Sequence, residues 1–141
     1  MAKVSMSTKL NVSAQQVWDV IGGFNALPDW HPLVDKSEID EGGEATIRRL
    51  SLAGGGTIIE RLEAVNANER RYSYSILHGL LPVAGYQATI KVTEDEGEGC
   101  CAVEWSSEFD PTSGTGESDA VEAISGVYKA GLENLKKMFG G

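Results

Sequence analysis

The stretch Ser118-Asp119-Ala120-Val121-Glu122-Ala123-Ile124-Ser125-Gly126-Val127-Tyr128-Lys129-Ala130-Gly131-Leu132-Glu133-Asn134-Leu135-Lys136-Lys137-Met138-Phe139 decides the fold. At about 100° per residue, Ala120, Val121, Ile124, Val127, Tyr128, Gly131, Leu132, Leu135, Met138 and Phe139 fill one broad arc, and Glu122, Lys129, Glu133, Lys136 and Lys137 fill the opposite one. The pattern predicts one long amphipathic helix, with Ser118 as its cap and Gly140-Gly141 as its end. Acids open it and lysines close it, as the helix dipole prefers. One flank of the apolar arc is small (Ala120, Ala123, Val127, Gly131) and the other large (Ile124, Tyr128, Leu132, Leu135). The large flank can plug a core, whereas the small flank leaves room.

Upstream, the chain supplies the layer on which such a helix packs. In Tyr86-Gln87-Ala88-Thr89-Ile90-Lys91-Val92-Thr93 the apolar and polar residues alternate, which predicts a strand with one buried and one wet face. Residues 70–78 behave alike, with Tyr72, Tyr74 and Ile76 on one side. Turn signals at Glu41-Gly42-Gly43, Gly54-Gly55-Gly56, Asn66-Ala67-Asn68, Gly79 to Gly85 and Glu96-Gly97-Glu98-Gly99 divide residues 33–110 into six strands. Residues 2–10, with Val4, Met6, Thr8 and Leu10 in phase, add a first strand. Between them Ser13 caps a short helix carrying Val17, Trp18, Val20 and Ile21, which Gly22-Gly23 ends. The proline-bearing connector Phe24–Pro32 follows, packed down by Trp30. The predicted architecture is α+β: a seven-stranded, curved antiparallel sheet around a long C-terminal helix, in one domain spanning residues 1–141.

Composition narrows the function classes. Of 141 residues, 41% are hydrophobic, enough for a real core. With 21 acidic against 12 basic residues and a formal charge of -9, the surface repels phosphate backbones and anionic headgroups, which argues against nucleic acid and membrane partners. No apolar run approaches the about 18 residues of a spanning helix, and the N-terminus reads as a strand rather than a signal peptide. Cys100 and Cys101 are adjacent, which strains a mutual disulfide and matches no zinc pattern. A cytoplasmic protein, a monomer or weak dimer without cofactor or metal, is expected.

The order of elements resembles the START-like, or SRPBCC, superfamily of helix-grip domains, which includes pollen allergens, abscisic acid receptors and polyketide cyclases. The resemblance rests on Val17-Trp18, the connector Phe24–Pro32, Glu60-Arg61-Leu62, Tyr86 after the Leu80–Gly85 loop, and Phe109-Asp110-Pro111. It covers nearly the whole chain and lies nearest the polyketide cyclase-like and abscisic acid receptor-like branches. It implies a cavity walled by Glu60, Tyr74, Ile76, Tyr86, Ala88 and Glu104, faced by Ala123, Val127 and Gly131. It also likens Gly54–Gly56 and Leu80–Val83 to loops at the pocket mouth. Where the hormone receptors hold a lysine for a ligand carboxylate, this chain has Asp35, with Lys36 one residue off, which disfavours abscisic acid itself and, with it, an anionic ligand.

Among the candidate residues, Glu60 shares strand parity with Ile58, Leu62 and Ala64 and so points inward. A hairpin through Gly54–Gly56 brings Arg48 diagonal to it as a partner. Glu60 then either binds a ligand hydroxyl or serves as a general base, the competing reading being a salt bridge at the rim. At Glu104 the parity of Val103, Trp105 and Phe109 points outward, against the resemblance. His31 and His78 read as packing or surface residues before acid–base groups. Tyr72, Tyr74 and Tyr86 all face inward, and buried hydroxyls need partners. The apolar segment Gly79–Gly85 reads either as a lid or as a loop packed near Trp30. The expected ligand-binding set is Trp30, Arg48, Leu52, Glu60, Tyr74, Ile76, Leu81, Pro82, Tyr86, Ala88, Glu104, Ala123, Val127 and Gly131. The function expected first is binding of a small, largely apolar molecule. The alternatives are a cyclase or dehydratase using Glu60 with a tyrosine, and a protein-interaction or chaperone-like module.

Overall fold

A computed structural model describes residues 2–40, 43, 45–79, 81–94 and 99–140. The elements run β1 (Ala2–Leu10), α1 (Ala14–Ile21), α2 (Leu27–Trp30), β2 (Val34–Asp40), β3 (Ile47–Leu52), β4 (Thr57–Asn66), β5 (Arg71–His78), β6 (Val83–Glu94), β7 (Cys101–Pro111) and α3 (Glu117–Phe139). The strands form one curved antiparallel sheet in the order β1-β7-β6-β5-β4-β3-β2, so β7 closes back on β1. Among the described residues this is the seven-stranded sheet around a long C-terminal helix that the alternation predicts. No helix of the described residues is long and apolar enough to cross a membrane.

Local chemistry explains the elements. Ser13 and Gln16 form a reciprocal capping box: Ser13 Oγ accepts from Gln16 N–H, and Gln16 Oε1 accepts from Ser13 N–H. Glu94, reaching from the end of β6, accepts the Ala14 N–H at 2.5 Å and ties α1 to the sheet. In β7 the pleat buries Cys101, Val103, Trp105, Ser107 and Phe109 while Glu104 and Glu108 face solvent. Helix α3 lies against β1 and β7, and α2 bridges β2 and α3. The buried residues of α3 are Ala120, Ile124, Tyr128, Gly131, Leu132 and Leu135.

Two local expectations are corrected. Helix α3 is capped by Gly116, not Ser118: Gly116 is extended (φ -72°, ψ 149°), and Ala120 N–H bonds its carbonyl, leaving Ser118 inside the first turn. Nor is Gly79–Gly85 a single loop. Val83 and Ala84 already pair with Pro111 and Asp110, and a bulge between Ala84 and Gln87 is accommodated by Gly85 at φ +62°. Glycine serves a bulge as readily as a turn, so the sequence signal is the same for both. Leu80, and with it part of the expected mouth loop, lies outside the described residues, as do Glu41, Gly42, Glu96, Gly97 and Glu98 of two expected turns.

Candidate functional site

The site starts from a hairpin register. The glycine turn closes with Leu52 N–H on the Gly56 carbonyl, which sets Arg48 directly opposite Glu60 rather than diagonal to it. Both are buried, Arg48 1% and Glu60 5% exposed, so the pair is no rim salt bridge. Arg48 donates Nε–H to Glu60 Oε1 at 2.7 Å, and its Nη2 lies 2.6 Å from the same oxygen. Nη1–H goes to the Phe24 carbonyl at 2.7 Å. The guanidinium lies 4.0 Å from the centre of the Phe24 ring and 5.0 Å from that of Tyr74, so aromatic faces help offset its desolvation. Burial pushes the Glu60 carboxyl above its ordinary value, and the Arg48 guanidinium pulls it back. Neither Arg48 contact uses Glu60 Oε2.

Glu60 sits on the wall of a pocket of about 250 Å³ between the sheet, α2 and α3. The wall is mainly apolar: Leu27, Leu33, Val34, Leu50, Leu52, Ile58, Ile76, Leu81, Ile124 and Val127, with Gly54 and Gly55 at one end. The polar groups on it are Glu60, Tyr74, Tyr86, His31 and Trp105. That composition fits a small-molecule site, at a size just below the roughly 300–1,000 Å³ of drug-sized pockets. A second groove, about 360 Å³, lies on the outer face among Lys3, Ser5, Glu63, Ser73, Gln87 and Glu108, and lacks such an apolar wall.

The tyrosine hydroxyls form a chain. Trp105 Nε1–H donates to Tyr74 Oη at 3.0 Å, Tyr74 and Tyr86 share a hydrogen bond at 3.2 Å, and Tyr86 bonds Tyr128 from α3. Trp105 stacks on Tyr128, ring centres 4.3 Å apart. Burial raises the phenols of Tyr74, Tyr86 and Tyr128, keeping them neutral. Tyr72 stays outside the chain, its ring between Trp18 and Phe24.

His31 links connector and helix. Its Nε2 lies 2.8 Å from the Val127 carbonyl, and its Nδ1 accepts Leu33 N–H at 3.2 Å, a pair of contacts that fits one neutral tautomer, protonated at Nε2. Burial lowers its pKa, outweighing the Val127 bond that raises it. Trp30, whose carbonyl accepts from Asn134 Nδ2, packs beside it. A Cβ on Gly131 would stand 2.7 Å from His31 Cδ2 and 3.0 Å from Trp30 Cζ3.

Of the expected set, Leu52, Glu60, Tyr74, Ile76, Leu81, Tyr86 and Val127 line this pocket, and Trp30, Arg48, Pro82, Ala88, Glu104, Ala123 and Gly131 do not. Gly131 faces no open space, because Trp30 and His31 pack against it; of the small flank of α3 on which room was expected, Val127 does line the pocket. Arg48 lies behind Glu60, Ala88 is packed within the sheet core, and Ala123 is half-buried on α3. Pro82 is tied by its carbonyl to Thr112 N–H. Glu104 stands exposed on the outer face opposite Lys91, so strand parity prevails over resemblance. His78 is exposed at the end of β5. Of the residues missed on the wall, Leu27, Leu33, Val34, Leu50, Ile58, Trp105 and Ile124 carry an ordinary core signal, and His31 was expected as a packing or surface residue. Tyr128 reads as a plug from helical spacing; its place in the hydroxyl chain needs the fold.

A family model described as polyketide cyclase / dehydrase and lipid transport matches residues 1–140. The protein XoxI from Bacillus cereus is 42% identical, with a TM-score of 0.92 over 99% of this chain and 96% of that one. A protein from Thermobifida fusca is 26% identical, with a TM-score of 0.82 over 99% and 94% of the two chains. The ZhuI aromatase/cyclase from Streptomyces sp. R1128, at 18% identity, shares the fold with a TM-score of 0.75 over 95% and 90%. No curated protein matches the sequence significantly.

Proposed function

The chain belongs to the polyketide cyclase / dehydrase and lipid transport family, and from that premise we propose that it binds a small, largely apolar molecule between its curved sheet and α3. One observation carries this: a pocket of about 250 Å³ with a mainly aliphatic wall and a few convergent polar groups, Glu60, Tyr74 and Tyr86. An interaction module with a filled core would have no such space. A ligand held only by the native state raises stability by about 2.7 kcal/mol at a hundredfold excess over its Kd. A thermal-shift screen with phenolic polyketides, flavonoids, sterols and fatty acids therefore tests the proposal. A concentration-dependent rise in Tm for at least one class supports it, and no rise with any class contradicts it.

A second reading, a cyclase or dehydratase, is favoured by one feature: a carboxyl whose pKa burial raises stands on the same wall as two phenols. Chromatographic separation and mass analysis of ligands recovered after incubation distinguish the two. A binder returns them unchanged, and an enzyme returns an isomer or a product lighter by one water.

A further inference from the structure

Resting on the ligand-binding proposal, we infer that the pocket selects neutral molecules bearing a hydroxyl or another hydrogen-bond donor, anchored on Glu60 Oε2, and discriminates against carboxylates. The cation beside the pocket is already used. Arg48 spends Nε and Nη2 on a single oxygen of Glu60 and Nη1 on the Phe24 carbonyl, and it stands behind the wall rather than on it. No lysine or arginine is among the described residues lining the pocket. His31, the basic side chain that does line it, has Nε2 committed to the Val127 carbonyl and Nδ1 to Leu33 N–H. An incoming carboxylate therefore meets an anion and no free cation, and loses its hydration without replacement.

A hydroxyl meets the opposite situation. Both Arg48 contacts converge on Oε1, leaving Oε2 to accept a charge-assisted bond from the ligand. The phenols compete weakly for that role, since Tyr74 and Tyr86 are occupied with Trp105, Tyr128 and each other.

Calorimetric titration with three matched probes tests this: 2-naphthol, 2-methylnaphthalene and 2-naphthoate at neutral pH. The naphthol is expected to bind at least about tenfold tighter than the methyl compound, as a hydrogen bond to a charged acceptor allows, and the naphthoate no better than the methyl compound. In the double variant Arg48→Met/Glu60→Leu, which removes the pair without stranding either charge, the preference for naphthol is expected to fall to within about twofold. The wild-type series alone decides if that variant is unstable. Naphthoate binding as tightly as naphthol, or methylnaphthalene matching naphthol, overturns the inference and leaves the binding proposal standing. Binding of none of the three up to their solubility limits overturns both.

Discussion

Gly131 and Gly126 share one helix yet answer to different neighbours. A Cβ at Gly131 runs into His31 and Trp30, while at Gly126 it meets nothing within 4 Å. Gly126→Ala should therefore stabilise by roughly 0.5–1 kcal/mol through helix propensity alone. Gly131→Ala should destabilise, because overpacking of about 1–3 kcal/mol exceeds that gain. Urea midpoints moving in opposite directions would establish that the connector, not open space, covers α3 at Gly131. His31 gives a pH signature. Its folded pKa is lowered by burial, so as pH falls below the unfolded value of about 6.5 the unfolded chain takes up the proton first, and stability is lost. Between about pH 7 and 5 the loss measured by urea unfolding should be shallower in His31→Gln than in the wild type. For the ion pair, Arg48→Ala strands Glu60 at 5% exposure and should cost about 3–5 kcal/mol. The double variant Arg48→Met/Glu60→Leu should recover most of that loss.

Elements with a strong period were legible from the residues alone. The alternation in β5 and β6 and the apolar arc of α3, apart from the exposed Met138, follow the observed burial, and Ser13 announces α1. The capping box makes Ser13→Ala worth about 1 kcal/mol, to be read as a lower urea midpoint. Parity in β7 settled Glu104 against the resemblance, since a pleat of period two without a bulge there cannot present Glu104 on the face of Val103 and Trp105. What was not legible depended on contacts between elements. A three-glycine turn is compatible with more than one register, so direct opposition of Arg48 and Glu60 needed the hairpin. Gly116 caps α3 without a side chain and gives no cap signal beside Ser118. Val127 on the small flank of α3 does border space, but Gly131 is covered by Trp30 and His31, which one helix read alone does not show.

At the scale of the molecule, a curved sheet and one helix leave a pocket whose wall draws on α2, β2, β3, β4, β5, β6, β7 and α3. About half of the expected binding set lies on that wall. Of the rest, Arg48 backs Glu60 and Trp30 packs with His31 against Gly131 of α3, whereas Glu104 lies on the opposite, exposed face of the sheet. A methyl-resolved NMR titration with 2-naphthol tests this account most directly. It predicts saturable shifts at Leu50, Leu52, Ile76, Ile124 and Val127, with the exposed Val65 and Leu77 unmoved. Shifts confined to Val65, Leu77 or other exposed positions, or no shifts at saturating probe, would contradict it.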